Sequence, residues 1–303
     1  ARNIVVILGP TASGKTELAC HLGLETGGEV ISADSRQVYR QMDIGTGKDL
    51  DEYTIGSHEI PYHLIDVKEP GYKYNIAEYQ SDFINAFKDI TERGALPILC
   101  GGSGLYIETA LRGNSYLGIP SDENLWQTLK EVNEDELEVN YQSILPELKK
   151  RLNALTRPRK IRAIEISEFL KKNPDWRPVE IPDFNPLIIG VNIDRDERRA
   201  KITQRLSYRM NHGLIEEVEN LLAGPLSYND LEYYGLEYKW IGKYLNSEIS
   251  KRILFESLNT AIHQFSKRQM TWFRRMEKNG YPINWIDSKK PLAEKLAIIQ
   301  ELM

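Results

Sequence analysis

Eight residues hold the clearest chemistry in the chain: Gly9-Pro10-Thr11-Ala12-Ser13-Gly14-Lys15-Thr16, with glycines at the outer positions of a phosphate-cradling loop and Lys15-Thr16 closing it. Backbone N–H groups at a helix N-terminus carry partial positive charge, so such a turn can hold a diphosphate. Lys15 adds a full charge and Thr16 a hydroxyl for Mg²⁺. Gly9, Thr11, Ala12, Ser13, Gly14, Lys15 and Thr16 are therefore the candidate diphosphate-binding residues, and a bare glycine-rich turn is the plain alternative. A second candidate is Asp34, in Asp34-Ser35-Arg36-Gln37. A carboxylate there can take a proton or can cap the free N–H groups that follow it, and spacing alone leaves these readings even. A third is Gly101-Gly102-Ser103-Gly104, where glycines admit a ligand close to the backbone and Ser103 adds a hydroxyl; a tight turn is the simpler reading. Gly45-Thr46-Gly47-Lys48 is a lone glycine pair, a weak phosphate signal read as loop.

These residues need a sheet to converge on. Asn3 to Leu8 reads as a buried strand, and Glu17 to Leu24 has helical spacing, which is the strand–loop–helix context the phosphate motif requires. Glu29 to Ala33 predicts a second strand ending on Asp34, His63 to Val67 a third, and Leu96 to Cys100 a fourth running into Gly101-Gly102. Ile76, Tyr79, Phe83, Phe87 and Ile90 mark one face of a helix, a core stripe. In parallel sheets with helical crossovers ligands gather at the carboxyl ends of the strands, so all three candidates would border one crevice. From about Tyr116 to Phe184 glycines thin out and charges rise, with helical spacing at Leu125, Leu129, Val132 and again at Ile144, Leu148, Leu152, Leu155. This predicts an inserted helical domain, closed by Pro174, Pro178, Pro182 and Pro186, after which Leu187 to Ile193 restores a strand. Arg195 to Leu222 reads as one long charged helix. A second helical stretch surrounds Tyr233 to Trp240, a third runs from Ile253 to Lys278, and Ile283 to Asp287 is a last edge strand.

With 303 residues and 41% hydrophobic content, the chain can build one sizeable core and a second small domain. It has no run of 18 apolar residues and enters a strand almost at once, so neither a membrane span nor a signal peptide is expected, and the location is cytoplasmic. Cys20 and Cys100 sit in apolar segments, which suits reduced core thiols rather than disulfides or zinc. The net charge of −5 hides an asymmetry. Acids dominate from Asp122 to Glu138, whereas Lys149-Lys150-Arg151, Arg157, Arg159-Lys160, Arg162 and Lys171-Lys172 crowd the next stretch. Basic residues recur from Arg195 to Arg209 and from Lys267 to Lys278. One such run is a solvated face; several together form a polyanion footprint.

The chain resembles the tRNA dimethylallyltransferase family (IPP transferases), which prenylates N6 of the adenine beside the anticodon. The resemblance spans nearly the whole length. It rests on Gly9 to Thr16, Ile31 to Tyr39, Met42 to Lys48, Gly101 to Tyr106, Arg159 to Glu165 and Lys267 to Arg274, in family order. It implies an α/β fold: a P-loop nucleoside-triphosphate-hydrolase-like parallel-sheet core over 1–115 and 186–303, and an all-helical insertion over 116–185 that grips tRNA. It implies dimethylallyl diphosphate as donor, Mg²⁺ as cofactor with Thr16 as its protein ligand, and a monomeric chain. Asp34 would be the general base, with Thr16 and Arg205 also catalytic and Arg205 helping to bind diphosphate. Ser35, Arg36, Gln37, Gly102 and Ser103 would line the adenine pocket; Arg159, Lys160, Ile161, Arg162, Ala163, Lys239, Lys267, Arg268 and Gln269 would bind tRNA. Ser103 replaces the family's usual Thr, Thr156-Arg157-Pro158 replaces Asn-Pro-Arg, and the Gly-Tyr-Arg/Lys arrangement is altered across Gly235 to Lys239.

The chemistry of the residues agrees. Transfer to an exocyclic amine needs a clamp for the departing diphosphate, which the loop and Lys15 supply, and an acceptor for the amine proton, which Asp34 supplies. A stacked adenine cannot reach such a crevice and must be flipped out. The competing readings are a P-loop small-molecule kinase, a prenyltransferase of free adenine nucleotides, and a non-catalytic RNA-binding module.

Overall fold

In the computed structural model, which describes residues 2–152 and 154–303, the apolar run at the N-terminus becomes β1 (Ile4–Leu8), every residue of which is fully buried. A strand buried on both faces belongs at the middle of a parallel sheet. Its companions are β2 (Glu29–Ser32), β5 (Tyr62–His63), β6 (Pro97–Gly101), β7 (Pro186–Asn192) and β8 (Ile283–Asp287), in the order β5-β2-β6-β1-β7-β8 with every pairing parallel. A separate hairpin joins β3 (Thr54–Ile55) to β4 (His58–Glu59). The chain leaves β1, skips a position to form β2, and later fills the gap with β6. That reversal opens a crevice at the carboxyl edge between β1 and β6.

Helices α1 (Lys15–Thr26), α2 (Ile76–Glu92) and α3 (Gly104–Arg112) follow β1, β5 and β6. On α2 the predicted stripe is buried at Tyr79, Phe83, Phe87 and Ile90, and a capping box between Asn75 and Glu78 fixes its start. Then come α4 (Glu123–Glu131), α5 (Glu134–Gln142), α6 (Pro146–Leu152) and α7 (Arg157–Lys172). After β7 lie α8 (Arg195–Met210), α9 (Leu214–Ala223), α10 (Tyr228–Leu231), α11 (Leu236–Leu245) and α12 (Lys251–Lys278), and after β8 comes α13 (Leu292–Leu302). The sequence reading stops at the last strand; α13 adds Leu296 and Ile299 to the core that also buries Leu18 and Leu22 of α1. Each such side chain contributes about 1.5–3 kcal/mol on burial. Among the described residues no helix is long and apolar enough to cross a membrane.

Two predicted elements differ. The third strand stops after His63 because Leu64 and Asp66 take φ of 62° and 55°, and the Asp66 carboxylate turns to the Lys48 ammonium. The long helix expected from Arg195 is broken after Met210, where Gly213 has a φ of 97° and starts α9.

The chain divides into two compact units, Ala1–Gly113 with Pro182–Met303, and Asn114–Ile181. The expected boundary at 185 is therefore a few residues late. Phe184 already packs its ring on Phe83 and Phe87, with centroids 5.6 and 4.9 Å away, and the Asn185 N–H donates to Asn3 Oδ1 at 2.7 Å. In the smaller unit Leu129, Leu137, Ile144, Leu148, Ile161 and Ile164 form a core of their own. Leu155, although in step with Leu148 and Leu152, is 75% exposed because it precedes α7 instead of continuing α6.

Candidate active site

The loop after β1 has the conformation that its glycines permit. Gly14 sits at a φ of 82° as the residue before α1, and a Cβ on Gly9 would meet Ser13 Oγ at 2.6 Å. Ala12 also takes a positive φ of 64° without being glycine. The loop is tied from two sides. Thr11 N donates to Gln269 Oε1 at 2.9 Å, and Arg205 Nη2 donates to Thr11 Oγ1 at 2.6 Å. Gln269 Nε2 donates in turn to the Gly102 carbonyl at 3.0 Å, so one amide from α12 joins the turns after β1 and β6. A Cβ on Gly102 would come within 2.4 Å of that amide.

These turns border a pocket of about 360 Å³. Thr11, Ala12, Ser13, Gly14, Lys15 and Thr16 line it together with Asp34, Ser35, Arg36, Gln37, Gly102, Ser103, Arg205 and Gln269. Gly9 stands behind the loop, where its missing side chain leaves room for Ser13. Ile202, Leu206 and Leu214 add apolar wall. Burial pulls the Lys15 ammonium below its usual range, with Arg205 acting in the same direction, and burial with neighbouring Arg209 brings Arg205 down to about 10. Two concentrated positive charges thus face a small hollow, an arrangement that favours a multiply charged anion.

Asp34 divides its carboxylate. Oδ1 accepts from Arg36 N at 2.7 Å and Gln37 N at 3.2 Å, the capping geometry, although no helix follows. Oδ2 has no hydrogen bond among the described residues. The Gln37 amide is occupied at both ends, accepting from Ser32 Oγ at 2.7 Å and donating to the Gly47 carbonyl at 3.1 Å. Arg36 stacks its guanidinium 4.6 Å from the Tyr233 ring centroid. Further on, Glu217 receives the N–H groups of Asp43, Ile44 and Gly45 at 2.9, 2.7 and 3.0 Å and the Tyr238 hydroxyl at 2.7 Å. This fastens the loop in front of the pocket.

A family model described as IPP transferase matches residues 37–276. The chain belongs to the IPP transferase family. Among relatives of the family, tRNA dimethylallyltransferase 2 of Bacteroides fragilis is 49% identical over 302 residues, covering 99% of this chain and 97% of its own. tRNA dimethylallyltransferase 1 of Parabacteroides distasonis is 48% identical over 301 residues, covering 99% and 97%. The solved tRNA isopentenylpyrophosphate transferase of Bacillus halodurans is 30% identical with a TM-score of 0.71, covering 100% of this chain and 95% of that one. A eukaryotic dimethylallyltransferase acting on tRNA shares the fold at 20% identity and a TM-score of 0.75, covering 100% and 79%.

The residues expected to bind tRNA are not all at this pocket. Lys239 does not line the pocket; its ammonium pairs with Glu232, while Gly235, Leu236 and Glu237 from the same stretch do line it. Lys267 and Arg268 are exposed on α12 outside the pocket. In the smaller unit Ile161 and Ala163 are core residues, 2% and 1% exposed, so their side chains are closed to any ligand. Lys160 pairs with Glu138 at 2.6 Å, and Arg162 donates to the carbonyls of Ile119 and Pro120. Arg159 alone of the five is exposed with no ion pair among the described residues.

Glu52, Glu237, Asp49 and Arg209 also line the pocket, and sequence reasoning missed all four. Burial, then Asp49, pushes the Glu52 carboxyl up to about 7, and burial raises Glu237 as well. Glu52 Oε2 is buried without a partner. Glu52 lies in a 3₁₀ turn, Leu50–Tyr53, where no periodicity marks a face; only its place after the Gly45–Lys48 block hinted at the site. For Mg²⁺, the Thr16 hydroxyl and the carboxylates of Asp34, Asp49 and Glu52 are the hard oxygen donors the ion prefers. Among the described residues no group of three or more acidic, His or Cys side chains forms a dedicated cage.

Proposed function

We propose that this pocket transfers a dimethylallyl group from dimethylallyl diphosphate to N6 of the tRNA adenine 3′-adjacent to the anticodon. The reading is carried by one observation: the Gly9–Thr16 loop and the free oxygen of Asp34 share one pocket. The backbone N–H groups of the loop, Lys15 and Arg205 hold the diphosphate and stabilise the charge it gains as the allylic C–O bond breaks. The Thr16 hydroxyl would hold Mg²⁺, which would supply further charge stabilisation to the leaving diphosphate. The allylic carbon bonds to N6, and Asp34 Oδ2 takes the N6 proton. Ile202, Leu206 and Leu214 offer the prenyl chain an apolar wall from which water is excluded. Ser35, Arg36 and Ser103 face the flipped adenine, while Gln37 and Gln269 keep the walls in place. A cytoplasmic, monomeric enzyme is part of the same proposal, and the free buried thiols of Cys20 and Cys100 suit a reducing compartment.

The deciding experiment measures prenyl transfer from dimethylallyl diphosphate to unmodified tRNA, with AMP as alternative acceptor and ATP hydrolysis as control. Transfer to tRNA alone is expected. Preference for AMP, or ATP turnover without transfer, overturns the proposal.

A further inference from the structure

The turn Gly101–Ser103 reaches the pocket without the cap that ordinarily fixes such a turn. Ser is favoured before a helix because its hydroxyl accepts from the N–H groups of the first turn. Ser103 stands directly before α3 at a φ of −91° and a ψ of 100°, yet its hydroxyl makes no such bond. Ser103 lines the pocket instead. Something outside the turn must then fix where α3 begins.

Helix α12 supplies it. Gln269 and Trp272 stand about one turn apart on that helix, and both meet the segment after β6. Gln269 reaches the Gly102 carbonyl, and the Trp272 indole lies so close to Gly104 that a Cβ there would overlap it. The indole is fixed in turn. Its Nε1 donates to Glu108 Oε2 at 2.8 Å, and Arg275 Nη2 donates to the same oxygen at 3.1 Å. The Arg275 guanidinium also lies 3.8 Å from the Trp272 ring centroid, a cation–π contact. Glu108 is 9% exposed and sits about one turn beyond Gly104 on α3. One carboxylate thus holds the edge of the ring and one guanidinium its face, while the ring itself rests on the first residue of α3. A capping serine would spend its hydroxyl on the helix; this clamp makes that bond dispensable and leaves the hydroxyl to a ligand.

We propose that Trp272 is a positioning residue for the transfer: pinned by Glu108 and Arg275, it sets the start of α3 so that the Ser103 hydroxyl serves the acceptor base and not the helix. This role rests on the proposed transfer to a tRNA adenine. The diphosphate side should not feel it, because the contacts of Trp272 run to α3 and not to the Gly9–Thr16 loop.

The test is a double-mutant cycle on single-turnover transfer from dimethylallyl diphosphate to unmodified tRNA, both saturating, with the full chain. Trp272→Phe keeps a ring for Arg275 and removes the indole donor to Glu108. It should slow transfer by roughly tenfold, since a small misplacement beside the reacting atoms suffices. Labelled inorganic diphosphate should still bind within about twofold of the parent in equilibrium dialysis, as the loop is untouched. Ser103→Ala should slow transfer by a similar factor, and in that background Trp272→Phe should cost nothing further, because residues acting as one unit do not add. A merely structural tryptophan would instead multiply the two losses. Arg275→Ala, at an exposed site, keeps the test open if Trp272→Phe does not fold: it should slow transfer by about threefold, again only when Ser103 is present. Losses that multiply, transfer at the parent's rate in Trp272→Phe, or diphosphate binding weakened as much as turnover each overturn the role of Trp272. A parent that transfers nothing to tRNA overturns the proposed function itself.

Discussion

Two turns near the carboxyl edge of the sheet combine glycines with lysine, Gly9–Thr16 and Gly45–Lys48, and the fold uses them in opposite ways. Lys15 begins α1, lines the pocket and makes no ion pair among the described residues. Lys48 is 1% exposed, and its ammonium binds Asp43 at 2.6 Å together with Asp66 and the Tyr39 carbonyl. The chain around each lysine decides. Lys15 follows a buried strand and opens a long helix, so the backbone supplies N–H groups to an anion and the lysine adds to them. Lys48 leads only to the 3₁₀ turn Leu50–Tyr53 and sits between two carboxylates, so it clips together the segments around Asp43 and Asp66. A group left open serves chemistry, and the same group tied up serves the scaffold.

Asp34 combines both uses in one side chain, and it gives the largest expected effect. Asn retains a carbonyl oxygen for the N–H groups of Arg36 and Gln37, so Asp34→Asn should melt like the parent. It cannot take the N6 proton, and single-turnover transfer with saturating tRNA and donor should fall by roughly 10²–10⁴-fold. Turnover within a few-fold of the parent would leave the capping oxygen as the residue's whole role.

The two lysines can be compared directly by the same substitution. Lys15→Met should reduce turnover by roughly 10²–10³-fold, as expected for one electrostatic stabiliser of the leaving group, without lowering the melting temperature or tRNA affinity. Lys48→Met should cost roughly 1–3 kcal/mol of stability by removing the charge-assisted hydrogen bonds to Asp43, Asp66 and the Tyr39 carbonyl, and should lower turnover only through the folded fraction. If the Lys15 variant unfolds and the Lys48 variant loses transfer while folded, the comparison is reversed.

Sequence reading found what periodicity and local motifs encode. The phosphate loop, the strand ends at Asp34 and Gly102, the α2 stripe and the helical insertion each need only neighbouring residues to be recognised. What it left open has a different cause. Lys239 and Glu237 lie two positions apart on α11, yet one pairs with Glu232 and the other is half-buried at the pocket. Which of them faces inward is set by packing from distant segments. Ile161 and Ala163 sat inside a basic run, and only the core of the smaller unit shows that their side chains turn away from solvent. The early end of the third strand likewise depended on Lys48, eighteen residues before its partner Asp66.

Glu52 extends the comparison to an acid whose second oxygen is left without a partner. Its carboxyl is raised from 4.5 to about 7, so between these values the folded protein keeps a proton that the unfolded chain has released. Stability therefore falls as pH rises through that window and stays lower above it. Glu52→Gln removes the dependence. In ligand-free protein the variant should match the parent near pH 4.5 and exceed it at pH 8, by up to about 2 kcal/mol after solvent screening. Thermal melts at both pH values check this, and a constant gap would mean that Glu52 does not titrate there.

The smallest effect separates two arginines on α7 that the sequence reading treats alike. Arg159 is exposed and without an ion pair among the described residues, whereas Arg162 holds the carbonyls of Ile119 and Pro120 and faces Glu165 at 3.5 Å. An open guanidinium that meets a phosphate releases about one counterion on binding, so Arg159→Ala should lower the log–log salt slope of tRNA binding by about one. Arg162→Ala should leave the slope unchanged and destabilise the helical unit by roughly 1–3 kcal/mol, because Glu165, 3% exposed, loses its cationic neighbour and two carbonyls lose their donor. Titrations across a range of salt, with melting curves on the same samples, measure both quantities. Equal slopes for the two variants would show that the internal hydrogen bonds of Arg162 give way when tRNA binds. The division between open and tied-up groups would then fail in the helical unit, even if it holds at the sheet edge.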